Sequence, residues 1–214
     1  MSETTSKKRK LSLPLIVAGG VSSLVLALGM SPTFSAFTAS IQNTADGAGS
    51  GTLVMQETDN AGTTICNSNV VSVSNNVATC ATINKYGANF AMIPGQTVTT
   101  TIKINNTGSL AASAFSLTPS ACAPGVTGTV NGSANDICSK ISVVITSGGT
   151  AIYSGTAQAF GLGGAIDLKQ KLGNTPIAAG SSTPFTFAVT LASGLDNTYQ
   201  GLKVSQDLTW AFQA

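Results

Sequence analysis

The stretch QTVTTTIKINNTG, residues 96–108, decides the fold class. Val98, Thr100, Ile102 and Ile104 alternate with Thr97, Thr99, Thr101 and Lys103, so one face is apolar and the other polar. A period of two with β-branched residues on both faces is the mark of a half-buried antiparallel strand, and Asn106 and Gly108 supply the turn that ends it. The same texture extends outward. GTLVMQE (51–57), NVVSVS (69–74), VATCATI (77–83), ASAFSL (112–117) and KISVVIT (140–146) read as further strands. Turn residues separate them at Ser74-Asn75-Asn76, Pro94-Gly95, Pro124-Gly125 and Ser147-Gly148-Gly149. TPFTFAVTL places Phe185 and Phe187 on one face, and DLTWAFQ places Leu208, Trp210 and Phe212 on one face. These two strands, with Ile102 and Ile104, are expected to carry the heaviest part of the core. Trp210 alternates with apolar neighbours, which favours packing over a sugar-stacking platform. The expected class is all-β: an antiparallel β-sandwich.

TAQAFGLGGAIDLKQKL (156–172) reads as an irregular connection with one helical turn. Its Gly161-Leu162-Gly163-Gly164 is not a phosphate loop, because Ile166 stands where the third glycine belongs. No repeat and no long internal linker divides the chain.

Composition narrows the chemistry. The chain has 214 residues, 43% hydrophobic and 8% charged, with 23 glycines and no histidine. Without imidazole there is no Ser-His-Asp or Cys-His triad and no His-ligated zinc. Gly-x-Ser-x-Gly and a lysine three residues after a serine are also missing from the sequence. The formal charge of +2 is concentrated in Lys7, Lys8, Arg9 and Lys10; residues 36–214 keep six lysines against seven acids, a formal charge of −1. Such a balance offers nucleic acid little attraction. Enzyme activity, cofactors and metal are therefore not expected. Glu57 and Asp59 share one strand face, but a solvated pair near a turn is favoured over a calcium site.

The basic run precedes LSLPLIVAGGVSSLVLALGM, an uncharged apolar segment from Leu11 to Met30. This is the pattern of a secretory signal peptide, although its length also suits a membrane anchor. Thr33 and Ser35 form the small-x-small pair recognised by signal peptidase, with Ala36 then first in the exported chain; Ala36 with Thr38 is a second candidate. The expected organisation is a signal-peptide helix over residues 1–35, an N-terminal strand and hinge over 36–51, and a β-domain over 52–214. Cys66, Cys80, Cys122 and Cys138 all lie in the exported part. Of three possible connectivities, Cys66 with Cys80 and Cys122 with Cys138 is favoured, because each closes a short local loop. Each such loop contributes about 3 kcal/mol in the chain-entropy model.

Three stretches together carry a family resemblance: TFSAFTASIQNTADGAGSGTLVMQ (33–56), PGQTVTTTIKINNTGSLAASAFSL (94–117) and DNTYQGLKVSQDLTWAFQA (196–214). In order and spacing they resemble the TasA/camelysin family of secreted Gram-positive proteins. The four cysteines and low charge look more like an actinobacterial branch. The resemblance implies a jelly-roll or immunoglobulin-like sandwich that builds extracellular fibres of a biofilm matrix or cell-surface pilus. The zinc-endopeptidase label attached to that family finds no His-Glu-x-x-His here, since the chain has no histidine.

A sandwich has open edges that must be covered or used. Ala36 to Gln42 is strand-like, with Phe37, Ala39 and Ile41 on one face, and Asn43 to Gly51 is a hinge. This donor strand is expected either to pair within its own subunit or to add to the next, giving a head-to-tail homopolymer. Isopeptide cross-linking through Lys103 or Lys140 is a further possibility. With no Leu-Pro-x-Thr-Gly motif and no apolar tail at Ala214, surface attachment falls to polymerisation or to cell-wall and matrix partners. The alternative from another class is a monomeric surface binding or adhesion module. The Asn-x-Ser/Thr sites at Asn105 and Asn131 read as turn chemistry.

Overall fold

The computed structural model describes residues 47–70, 76–128 and 132–214. Thr33, Ser35, Ala36, Phe37, Ala39, Ile41 and Asn131 lie outside the described residues, as does most of the strand expected at 69–74. Residues Gly49–Ala214 form one compact unit.

Its strands are β1 (Met55–Asp59), β2 (Ile65–Asn67), β3 (Thr97–Asn106), β4 (Ala114–Pro119), β5 (Ala123–Val126), β6 (Ile141–Ser147), β7 (Thr150–Thr156), β8 (Ile166–Asp167), β9 (Ser182–Leu191), β10 (Leu202–Ser205) and β11 (Leu208–Gln213). Short helices α1 (Ile137–Lys140), α2 (Ala157–Leu162) and α3 (Leu168–Lys171) lie between them. A six-stranded sheet runs β2-β1-β3-β9-β6-β7, a three-stranded sheet β11-β4-β8, and β10 pairs with β5. The pairings are antiparallel, so the chain is all-β.

The centre of the large sheet is the stretch read first. β3 pairs with β9 from Thr97 opposite Thr190 to Asn105 opposite Ser182, which sets Ile102 against Phe185. Ile102, Ile104, Phe185 and Phe187 are fully buried. On the other face Thr101 and Thr186 hydroxyls meet at 3.1 Å, a cross-strand polar pair that suits a wetter surface. Asn106 ends β3 as a buried polar residue: its Nδ2 donates to the carbonyls of Leu110 (2.8 Å) and Ile177 (3.0 Å), and its Oδ1 accepts from Gly108 N–H (3.1 Å). Gly108 is required there because a Cβ would collide with the backbone of Thr52 and Val54.

Phe115 on β4 and Trp210 on β11 join the two larger sheets. Phe115 sits edge-on to Phe185 at 5.8 Å, and Trp210 lies 4.9 Å from the Phe185 ring. Burying aromatic faces in this way ties the two sheets together through apolar contact.

Four expectations need correction. VATCATI forms no strand: among the described residues no backbone pairs with 77–83, and Cys80 is tied by its side chain to Cys66 on β2. Residues 156–172 contain two helices rather than one turn; Thr156 Oγ1 caps α2 through Ala159 N–H at 3.1 Å, and Asp167 Oδ1 caps α3 through Gln170 N–H at 2.9 Å. Leu208, Trp210 and Phe212 are half-buried and flank the core rather than fill it. Glu57 is not solvated: only 8% of its surface is exposed.

Candidate functional site

The last strand has one edge with which no described strand pairs. β11 pairs with β4 from Leu208 opposite Pro119 to Gln213 opposite Ala114, and among the described residues no strand pairs with its other edge. Gln213 C=O accepts from Ser113 N–H at 2.7 Å and Asp207 C=O from Ser120 N–H at 2.8 Å. The odd-numbered residues thus turn their backbone groups toward β4. By strand alternation, Leu208, Trp210 and Phe212 turn theirs toward the open edge. Those same three residues carry the apolar side chains, so hydrogen-bonding capacity and apolar surface coincide on one rim.

Beside this rim lies a cleft of about 1220 Å³. That exceeds the roughly 300–1,000 Å³ typical of small-molecule pockets. β10 contributes Leu202 and Val204, β1 contributes Met55, and the segment Asn76–Pro94 forms a wall with Ile83, Tyr86 and Phe90. The Trp210 Nε1 donor is buried and has no hydrogen-bond partner among the described residues.

Lys85 and Tyr86 make the polar contacts at the middle of the wall. Lys85 Nζ reaches to 2.6 Å from Glu57 Oε1 on β1, and both side chains are about nine-tenths buried. Tyr86 Oη donates to Gln206 Oε1, while Gln206 Nε2 donates to the carbonyls of Ser120 (2.7 Å) and Ala157 (3.2 Å). Burial, with a smaller contribution from Tyr153, pushes the Tyr86 phenol well above its ordinary range, so it remains a neutral donor. A covalent tether completes the attachment: Cys66 on β2 is bonded to Cys80, with Cα atoms 6.2 Å apart.

Cys122 is bonded to Cys138 with Cα atoms 6.1 Å apart, joining the start of β5 to α1. Beside it Tyr199 Oη donates to Asp136 Oδ1 at 2.8 Å, and Lys140 Nζ lies 3.1 Å from Asp136 Oδ2. The Tyr199 hydrogen bond and then Lys140 hold the Asp136 carboxyl below its usual range. The two disulfides place folding in an oxidising, non-cytoplasmic environment. No described helix is long and apolar enough to cross a membrane.

Glu57 and Asp59, expected to be a solvated pair, separate into two structural roles. Glu57 serves Lys85, and Asp59 accepts from Thr63 N–H (2.7 Å) and Thr63 Oγ1 (2.6 Å) to close the β1-β2 turn. Lys103 Nζ donates to the Asn60 backbone carbonyl at 3.0 Å, and Lys140 Nζ faces the Asp136 carboxylate. Sequence reasoning did not identify the 76–94 wall or its ion pair. One signal was present: in a chain only 8% charged, a lysine beside a tyrosine inside a neutral run is conspicuous.

No family model matches the chain, and no curated protein matches it in sequence.

Proposed function

We propose that this chain is an exported structural subunit that polymerises into an extracellular fibre, of the biofilm-matrix or pilus kind. The donor strand Ala36–Gln42 of one copy completes the β11 edge of the next. In this reading the six-stranded and three-stranded sheets are the two layers of a jelly-roll-like or immunoglobulin-like sandwich. The contacts of Phe115 and Trp210 with Phe185 support that view.

The observation that carries the proposal is the β11 rim, unpaired among the described residues, above a peptide-sized cleft. Phe37, Ala39 and Ile41 repeat at the same two-residue interval as Leu208, Trp210 and Phe212. At about 3.3 Å per residue, a segment from Ala36 to Gln42 matches the length of β11. Backbone pairing supplies affinity, and burial of Phe37 and Ile41 supplies roughly 3–6 kcal/mol before ordering costs. Donation of a strand from each copy to a different surface on the next is a heterologous contact that does not close on itself, so it propagates. Leader removal then limits polymerisation to exported molecules.

Electron microscopy of secreted protein tests this directly. Wild type is expected to form filaments, and the double variant Phe37→Asp with Ile41→Asp is expected to remain monomeric with an unchanged fold by circular dichroism. Unchanged filaments in the variant overturn strand donation. A sharp wild-type monomer at every concentration favours the surface-adhesion module instead. Amino-terminal sequencing of the secreted form reads the cut, expected before Ala36.

A further inference from the structure

We propose that Cys66–Cys80 is a redox-modifiable latch that makes the cleft competent only after oxidation. This rests on the cleft being the acceptor described above.

The wall from Asn76 to Pro94 contains no strand or helix, and none of its residues is fully buried. Its attachments are few and unevenly placed. Asn76 is held by Ser68 Oγ at 2.7 Å and by its own Nδ2 on the Leu53 carbonyl at 2.5 Å. Lys85 and Tyr86 are held by Glu57 and Gln206. Between these two points, from Val77 to Thr82, no hydrogen bond or ion pair joins the wall to the rest of the described residues; the disulfide at Cys80 is the attachment. Cys66 and Cys80 both line the cleft and both are half-buried, within reach of a small thiol. Cys122–Cys138 is placed differently: α1 is anchored independently by buried Ile137 and by the Asp136 contacts with Tyr199 and Lys140.

The chemistry is thiol–disulfide exchange with a dithiol. A thiolate of the dithiol attacks one sulfur of the pair, the Cys66–Cys80 bond breaks, and a mixed disulfide forms. The second thiol of the dithiol then displaces the remaining cysteine. Two electrons and two protons pass to Cys66 and Cys80, which become thiols, while the dithiol becomes a disulfide. Before export the pair is reduced and the wall unlatched. Outside the cytoplasm the exchange runs in reverse: a disulfide-bearing oxidant takes two electrons and two protons from Cys66 and Cys80 and becomes a dithiol, which sets the wall and completes the cleft, a second compartment signal beside leader removal.

Hydrogen-exchange mass spectrometry on protein expressed from the complete chain tests the latch, with dithiothreitol as the reductant and alkylation to score each cysteine. Reduction of Cys66 and Cys80 is expected to raise exchange over 76–94 at least tenfold while β3 and β9 are unchanged. Cys66→Ser with Cys80→Ser reproduces this without reductant, whereas Cys122→Ser with Cys138→Ser leaves the wall unchanged. Unaltered exchange over 76–94 once Cys66 and Cys80 are alkylated overturns the latch, and this reading survives even if the serine variant fails to fold. Filament assays separate the two proposals. Loss of filaments on removing the latch supports it; equal filaments with and without it overturn the latch and leave strand donation standing. If wild type forms none, strand donation fails and the exchange result alone judges the latch.

Discussion

The β3-β9-β6 centre and the Asn76–Pro94 wall are built on opposite plans. In the centre, side chains alternate in and out and each buried residue is supported by two neighbouring strands: Phe187 lies opposite Thr100 on one side and Ile145 on the other. The wall has no ladder, and a disulfide, an ion pair and a phenol hydrogen bond hold it at separate points. Redundant support makes the centre open only with the whole domain, while discrete tethers allow the wall to open by itself. In the strand-donation proposal, the second kind of structure lines the acceptor cleft.

The strongest way to break this comparison is Phe185→Ala. Removal of a fully buried ring that touches Phe115 and Trp210 is expected to cost about 3–5 kcal/mol of global stability, read from urea unfolding. A smaller loss confined to one region would show that the centre is not cooperative. Next is Glu57→Gln, which leaves Lys85 buried without its counter-charge at a cost of about 3 kcal/mol. The expected result is local: about a hundredfold faster exchange over 76–94, with β9 much less affected. Tyr86→Phe removes the donor to Gln206 while keeping the ring, and is expected to cost about 1 kcal/mol, again in the wall.

The smallest effect is with pH. Asp59, Asp136 and Asp196 are held below the usual carboxylate value of 3.8, each chiefly by a side-chain hydrogen bond, from Thr63, Tyr199 and Thr198 respectively. A lowered folded-state value gives stability that is present above 3.8 and lost as pH falls through the folded value. With no histidine in the chain, the urea midpoint is expected to be level from about pH 5 to 8 and to fall below about pH 4. Asp136→Asn is expected to make that fall shallower.

Much of the centre was legible because alternation is a local property. Val98, Thr100, Ile102 and Ile104 mark one face whatever they pack on, and β3, β4, β6, β9 and β11 follow from such runs. The same rule failed at VATCATI, which pairs with no described strand although it alternates. It also overfilled the core with β11, since period two says which side chains share a face but not how far that face is covered.

From the order of its residues alone, this chain determines an all-β class, the ends of its main strands, the lack of any imidazole chemistry and a preference for two local disulfide loops. Each follows from the chemistry of a residue and its near neighbours. Tertiary structure decided that Glu57 meets Lys85, that Tyr86 finds Gln206, and that β11 borders a cleft with one edge unpaired among the described residues. Those contacts depend on which strands lie side by side, and that arrangement follows from how the whole domain buries its apolar surface.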